Sequence, residues 1–130
     1  MAQAPRPTDG ELEILRVLWH RGASTVREVH SVLSETKPAT GYTTVLKLMQ
    51  IMADKGLVSR DEKNKAHIYS SCVPEEQTQR QMVRDLLDRA FGGSASRLVM
   101  QALSTQKANS EELAEIRHML DEYEHRQGGA

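Results

Sequence analysis

The sequence predicts a mainly α-helical chain with one small β-hairpin, and three observations carry that expectation. Capping boxes open amphipathic stretches at Thr8 and at Thr25. A third apolar-periodic stretch ends at Gly56, and two short β-branched runs then flank a polar turn. One Phe, one Trp and three Tyr suit helices around a modest core better than a β-sandwich.

The first helix opens at Thr8-Asp9-Gly10-Glu11, with Thr8 as N-cap and Glu11 reaching back from the third helical position. Leu12, Leu15, Leu18 and Trp19 recur at three- and four-residue spacing, so one face is expected in the core, and Arg21-Gly22 ends the run. Thr25-Val26-Arg27-Glu28 repeats the box. It starts a short helix with Val26, Val29, Val32 and Leu33 inward, stopped before Lys37-Pro38. A third helix begins near Thr40-Gly41 and runs to Lys55, with Gly56 as a left-handed stop. On a helical wheel Tyr42, Val45, Leu48, Met49 and Met52 share the core direction, and Thr40, Thr43, Lys47, Gln50 and Asp54 lie opposite. Residues 57–60 and 66–70 read as strands joined by the turn Asp61-Glu62-Lys63-Asn64-Lys65. Three helices followed by a hairpin with a basic tip is the order of a winged helix-turn-helix head, placed at residues 1–73.

Residues 74–130 read as helix, with Pro74 suited to the first helical position. Gln79, Met82, Val83, Leu86, Leu87 and Ala90 form a stripe ending at Phe91-Gly92-Gly93. A short helix carries Leu98, Val99, Ala102 and Leu103. The last helix, capped by Asn109 or Ser110, presents Leu113, Ile116, Leu120 and Tyr123, and the tail from Arg126 is expected to fray. So few large apolar residues cannot enclose a private core. A second copy of the chain is the simplest cover for Met82, Leu86, Phe91, Leu98, Val99, Leu103, Leu113, Ile116 and Leu120, which predicts a C-terminal helical dimerisation segment and a homodimer.

Charge is unevenly spread. The first 73 residues hold ten Lys and Arg against eight Asp and Glu, and the remainder seven against ten. Within 37–67 six basic residues face three acids, so positive charge gathers where a phosphate-facing surface needs it. No Ser-His-Asp order, His-Glu-x-x-His or Gly-rich phosphate loop supports an enzyme. Cys72 has no partner cysteine and the five histidines show no ligand spacing, so neither metal nor other cofactor is expected. The first residues hold no apolar run for a signal peptide, and no stretch is long and apolar enough to span a membrane. A reducing cytoplasm is the expected location.

Several of these strings resemble a known family. Asp9-Gly10-Glu11-Leu12-Glu13-Ile14-Leu15 with Val17-Leu18-Trp19 is similar to the opening helix of the penicillinase-repressor family (the BlaI, MecI and CopY type). Gly41-Tyr42-Thr43-Thr44-Val45-Leu46, followed by Ala53-Asp54-Lys55-Gly56-Leu57-Val58, resembles its recognition helix and the start of its wing. Tyr69 and Phe91-Gly92-Gly93-Ser94 match a wing aromatic and the break between the first two dimerisation helices. The resemblance runs from about Thr8 to Tyr123. It implies a homodimeric repressor on a palindromic double-stranded DNA operator. In β-lactam-responsive members it implies a membrane sensor-protease that triggers cleavage at an Asn-Phe bond. The matching positions here are Gln101 and Ala102, which lack that aromatic, and the copper branch's C-terminal cysteine motifs are missing.

A major groove admits one helix, whose outer side chains reach base edges. Thr43, Thr44, Lys47 and Gln50 are the expected readers, with Thr40 beside them. Lys63, Lys65 and His67 are expected to hold the wing on phosphates, and Arg27, Lys37 and the Tyr42 hydroxyl to meet the flanking backbone. Two other functions fit the same pattern: a winged-helix regulator released by a small ligand, and a winged-helix module whose polar face meets a protein.

Overall fold

A computed structural model describes residues 6–63 and 65–128. Six helices and three short strands follow in the order α1 (Asp9–Arg21), β1 (Ser24–Thr25), α2 (Val26–Thr36), α3 (Tyr42–Lys55), β2 (Val58–Asp61), β3 (Ile68–Ser71), α4 (Glu75–Ala90), α5 (Ala95–Thr105) and α6 (Ser110–Gly128).

Both capping boxes form. The Thr8 hydroxyl accepts from the Glu11 amide, and the Glu11 carboxylate accepts from the Thr8 amide at 2.9 Å. Thr25 and Glu28 repeat the exchange at the start of α2. The Glu28 carboxyl is held below its ordinary value, chiefly by the Thr25 amide and then by Arg21 at 2.5 Å. α3 stops at Gly56, whose φ of 84° suits glycine, and the Leu57 amide closes back on the Met52 carbonyl at 2.9 Å.

The sheet has the order β1-β3-β2, antiparallel throughout. Sequence reading gave only the hairpin. Two-residue β1 exists because Ser24 and Thr25 pair with Tyr69 and Ile68, a contact no local pattern announces. The hairpin is also shifted: Asp61 belongs to β2, while Ala66 and His67 lie in the connecting loop.

The core consists of Ile14, Leu15, Val17 and Leu18 from α1, Val26, Val29 and Leu33 from α2, and Val45, Met49 and Met52 from α3, with Leu57, Val58, Tyr69 and Val73. The α1 face is rotated from the expected one, since Leu12 and Trp19 are only half-buried. Trp19 packs against the core from its edge, and its indole N–H reaches the Ser71 hydroxyl at 3.0 Å and the Val73 carbonyl at 2.9 Å. Tyr42, expected on the core side, is 43% exposed, with the His30 ring of α2 against its own ring, while Val45 in the same turn is fully buried.

Glu11 is buried at 1% exposure, and both its oxygens accept from the Lys55 ammonium, at 3.0 and 2.9 Å. Burial pushes its carboxyl up, but Lys55 and the Thr8 amide together outweigh that and hold it below the ordinary value. The pair ties the start of α1 to the end of α3.

The chain divides into two compact units, one up to Met82 and one from Val83, a division that falls inside α4. Pro74 stands just before α4, one place ahead of the first helical position expected for it; its carbonyl accepts from the Thr78 amide, and Thr78 itself is buried. The first turns of α4 are therefore part of the head unit. In the second unit, α5 and α6 contain no buried residue. Gly92 and Gly93, with φ of 56° and 83°, turn the chain out of α4. Asn109 caps α6 by accepting from the Glu112 amide at 2.8 Å, and the helix runs through Arg126 to Gly128 in place of the expected fraying, while the last two residues of that tail lie outside the described residues.

Candidate nucleic-acid interface

Thr43, Thr44, Lys47 and Gln50 are all exposed on α3, whose inner face is held by Val45, Met49 and Met52. The exposed face is polar and carries a single positive charge at Lys47. Thr40 lies outside this surface. It precedes the helix, is half-buried, and its carbonyl pairs with His30 Nε2 at 2.9 Å. The His30 ring also meets Tyr42 edge-on, with centroids 5.8 Å apart, so α2 holds the first turn of α3 in place.

Beside this face lies a cleft of about 540 Å³, bounded by the start of α2, one side of α3 and the wing. It gathers Arg27, Tyr42, Gln50, Lys65 and His67, five of the residues singled out in the sequence. Lys63 is exposed nearby in the chain, its amide bonded to the Asp61 carboxylate at 2.9 Å. Lys37 makes an exposed ion pair with Glu13 of α1. Arg60 also lines the cleft and was not singled out. It pairs with Glu62 at 2.6 Å and stands opposite Tyr69 across the β2–β3 register, and Tyr69 and then Glu62 hold it above arginine's ordinary value. Only its place opposite Tyr69 in the β2–β3 register puts it there, and sequence spacing carries no sign of that.

The second unit offers a different surface. Val83, Leu86, Val99, Leu103, Leu120 and Tyr123 are 39–60% exposed, and Met100 and Met119 more so. Met82, in the head unit, is 46% exposed. Phe91, Leu98, Leu113 and Ile116 are half-buried. Gln101 and Ala102 are exposed within α5. Among the described residues no His, Cys, Asp and Glu side chains are grouped as a metal-ligand set, and no helix is long and apolar enough to cross a membrane.

The family model described as Penicillinase repressor matches residues 7–122. The chain belongs to the penicillinase repressor family. Within it, this family member is 26% identical to a penicillinase repressor of Bacillus licheniformis, across 97% of this chain and 98% of that one. It is 30% identical to the transcriptional regulator BlaI of Mycobacterium tuberculosis, across 95% and 89%. A methicillin resistance regulatory protein MecI of Staphylococcus aureus matches at 21% across 88% and 92%. These relatives are transcriptional repressors and regulators, not enzymes. The solution structure of the DNA binding domain of the repressor BlaI superposes with a TM-score of 0.50 at 24% identity, covering 58% of this chain and 90% of that one. The head of this penicillinase repressor family member is thus a winged helix.

Proposed function

We propose that this chain is a transcriptional repressor that binds a palindromic DNA operator as a homodimer. The observation that carries the reading is the outer face of α3, where Thr43, Thr44, Lys47 and Gln50 stand exposed beside a basic cleft. The helix enters the major groove, and the threonines, Lys47 and Gln50 meet base edges. Lys63, Lys65, His67 and Arg27 meet phosphates, which position the head without specifying sequence. The apolar faces of α4, α5 and α6 are covered by a second copy, which sets two heads on half-sites about 34–36 Å apart or a multiple of that. The protein works in the cytoplasm, where its operator is.

Duplex binding measured against salt tests the reading. Counterion release makes affinity fall with ionic strength, and a chain whose polar face meets a protein shows no such slope. Genome-wide recovery of bound DNA then yields the operator. On that operator, Lys47→Ala is expected to weaken binding by about 1–3 kcal/mol and to relax sequence preference at one position. Equal weakening on random DNA would reassign Lys47 to a phosphate, and an unchanged affinity on both would remove it from the interface.

Induction by a sensor-protease with Asn-Phe preference is not expected. Ala102 offers a pocket shaped for Phe almost none of the apolar contact it requires. Incubation with such an activated protease should leave the chain intact by mass spectrometry. Fragments cut between Gln101 and Ala102 would restore proteolysis as the mechanism.

A further inference from the structure

The cleft between α2, α3 and the wing is lined by four basic side chains, Arg27, Arg60, Lys65 and His67, and by no acid. Arg60 nonetheless has an anion at hand. Glu62, two residues on in the same chain, places its carboxylate 2.6 Å from the Arg60 guanidinium, and its side chain is more than half exposed. Arg60 stands opposite the buried Tyr69 in the β2–β3 register, so the strand fixes its place at the cleft, while Glu62, past the end of β2, is free to swing away.

We propose that Glu62 is a built-in stand-in for a DNA phosphate, occupying Arg60 until a backbone phosphate displaces it. The inference rests on the DNA-binding reading above and adds two residues to it: Arg60 as a phosphate contact and Glu62 as its internal competitor. An exposed ion pair of this kind contributes little to the fold, so exchanging its anion is inexpensive. A phosphate on DNA offers the same planar, two-oxygen match to arginine that a carboxylate does. The exchange also has an ionic signature. Arg60 releases one condensed cation from the DNA, while the freed Glu62, left in the field of the phosphates, takes one up. Arg60 therefore adds almost nothing to the salt dependence while Glu62 is present.

The probe is a random-sequence duplex, since phosphate contacts do not read bases. Glu62→Gln keeps the size of the side chain and removes its charge. It should tighten binding about fivefold at low salt. It should also steepen the slope of log affinity against log salt by about 0.9. In an Arg60→Ala background the same substitution should tighten binding by a clearly smaller factor, because only the repulsion between Glu62 and the phosphates is then left to remove. A gain of equal size in that background would make Glu62 an ordinary repelling charge and overturn the proposal, as would wild-type affinity and slope in Glu62→Gln. If the wild-type chain shows no salt-dependent binding to any duplex, the DNA-binding reading fails as well. Binding by the wild type with an unresponsive Glu62→Gln sinks this inference only.

Discussion

Truncation after Met82 is expected to leave a folded head and to lower operator affinity by about two to four orders of magnitude. Among the described residues every buried apolar side chain lies between Ile14 and Val73, so the head loses none of that core. The cut belongs after Met82 because Thr78 is buried and the division between units falls at Met82. Removing everything past Val73 would strip that cover and end the chain at the carbonyl that accepts from Trp19. What the truncation removes is α5, α6 and the apolar second half of α4, the surfaces proposed to join two copies. Two linked heads bind their half-sites as one event, so each raises the effective concentration of the other. Light scattering should report a monomer for the truncated chain and a dimer for the full one, and titration on the operator should report the loss. A truncated head that binds as tightly as the full chain would sink the dimer, as would a full chain that stays monomeric at micromolar concentration.

Glu11→Ala is expected to destabilise the head by about 3 kcal/mol and to lower its melting temperature by about 15 °C. The substitution removes the acceptor for the Thr8 amide and leaves Lys55 without its partner. Lys55 is one-third exposed and turns to solvent, which keeps the cost near the lower end for a broken buried pair. The pair also makes stability depend on acid. The Glu11 carboxyl titrates lower in the folded chain than in the unfolded one. Its contribution is therefore present in full above the ordinary glutamate value and is lost as pH falls through the lower, folded value. Glu28 shifts in the same direction and adds to the same window. Urea unfolding at neutral and at acid pH should show the wild type losing more stability on acidification than Glu11→Gln does. Parallel losses would show that Glu11 is not the group being titrated.

What the sequence disclosed and what it withheld divide along the range of the interactions. Thr8 with Glu11 and Thr25 with Glu28 are three residues apart, and Gly56 and Gly92-Gly93 act on their own backbone, so each was legible. The exposed face of α3 followed from period 3.6, because a helix packed on one side must show the other. Strand β1 was not legible, since its two residues are strand only through partners more than forty positions away. The burial of Glu11 was hidden for the same reason: its Lys55 partner is 44 residues on, and a glutamate in a capping box gives no sign of being covered. Tyr42 shows the limit of the helical wheel, which gives the direction of a side chain and not what stands there to cover it. Lys37 and Arg60 were equal as sequence, two basic residues in a basic stretch. Packing gives Lys37 to Glu13 on α1 and places Arg60 at the cleft.

The strand order β1-β3-β2 has a consequence for synthesis, because the middle strand is the last of the three to be translated. Until Ile68–Ser71 has left the ribosome, β1 has nothing to pair with, and the three helices lack Tyr69, the largest fully buried side chain in the head. α3 is thus made early and secured late. Pairings over such sequence separations are slow to close, so the nascent head waits on its wing and not on its helices. At about 5–20 residues per second, the helices that follow take several more seconds to emerge. A chain stalled ahead of residue 68 would present α3 with no sheet behind it, an apolar face open to chaperones and proteases.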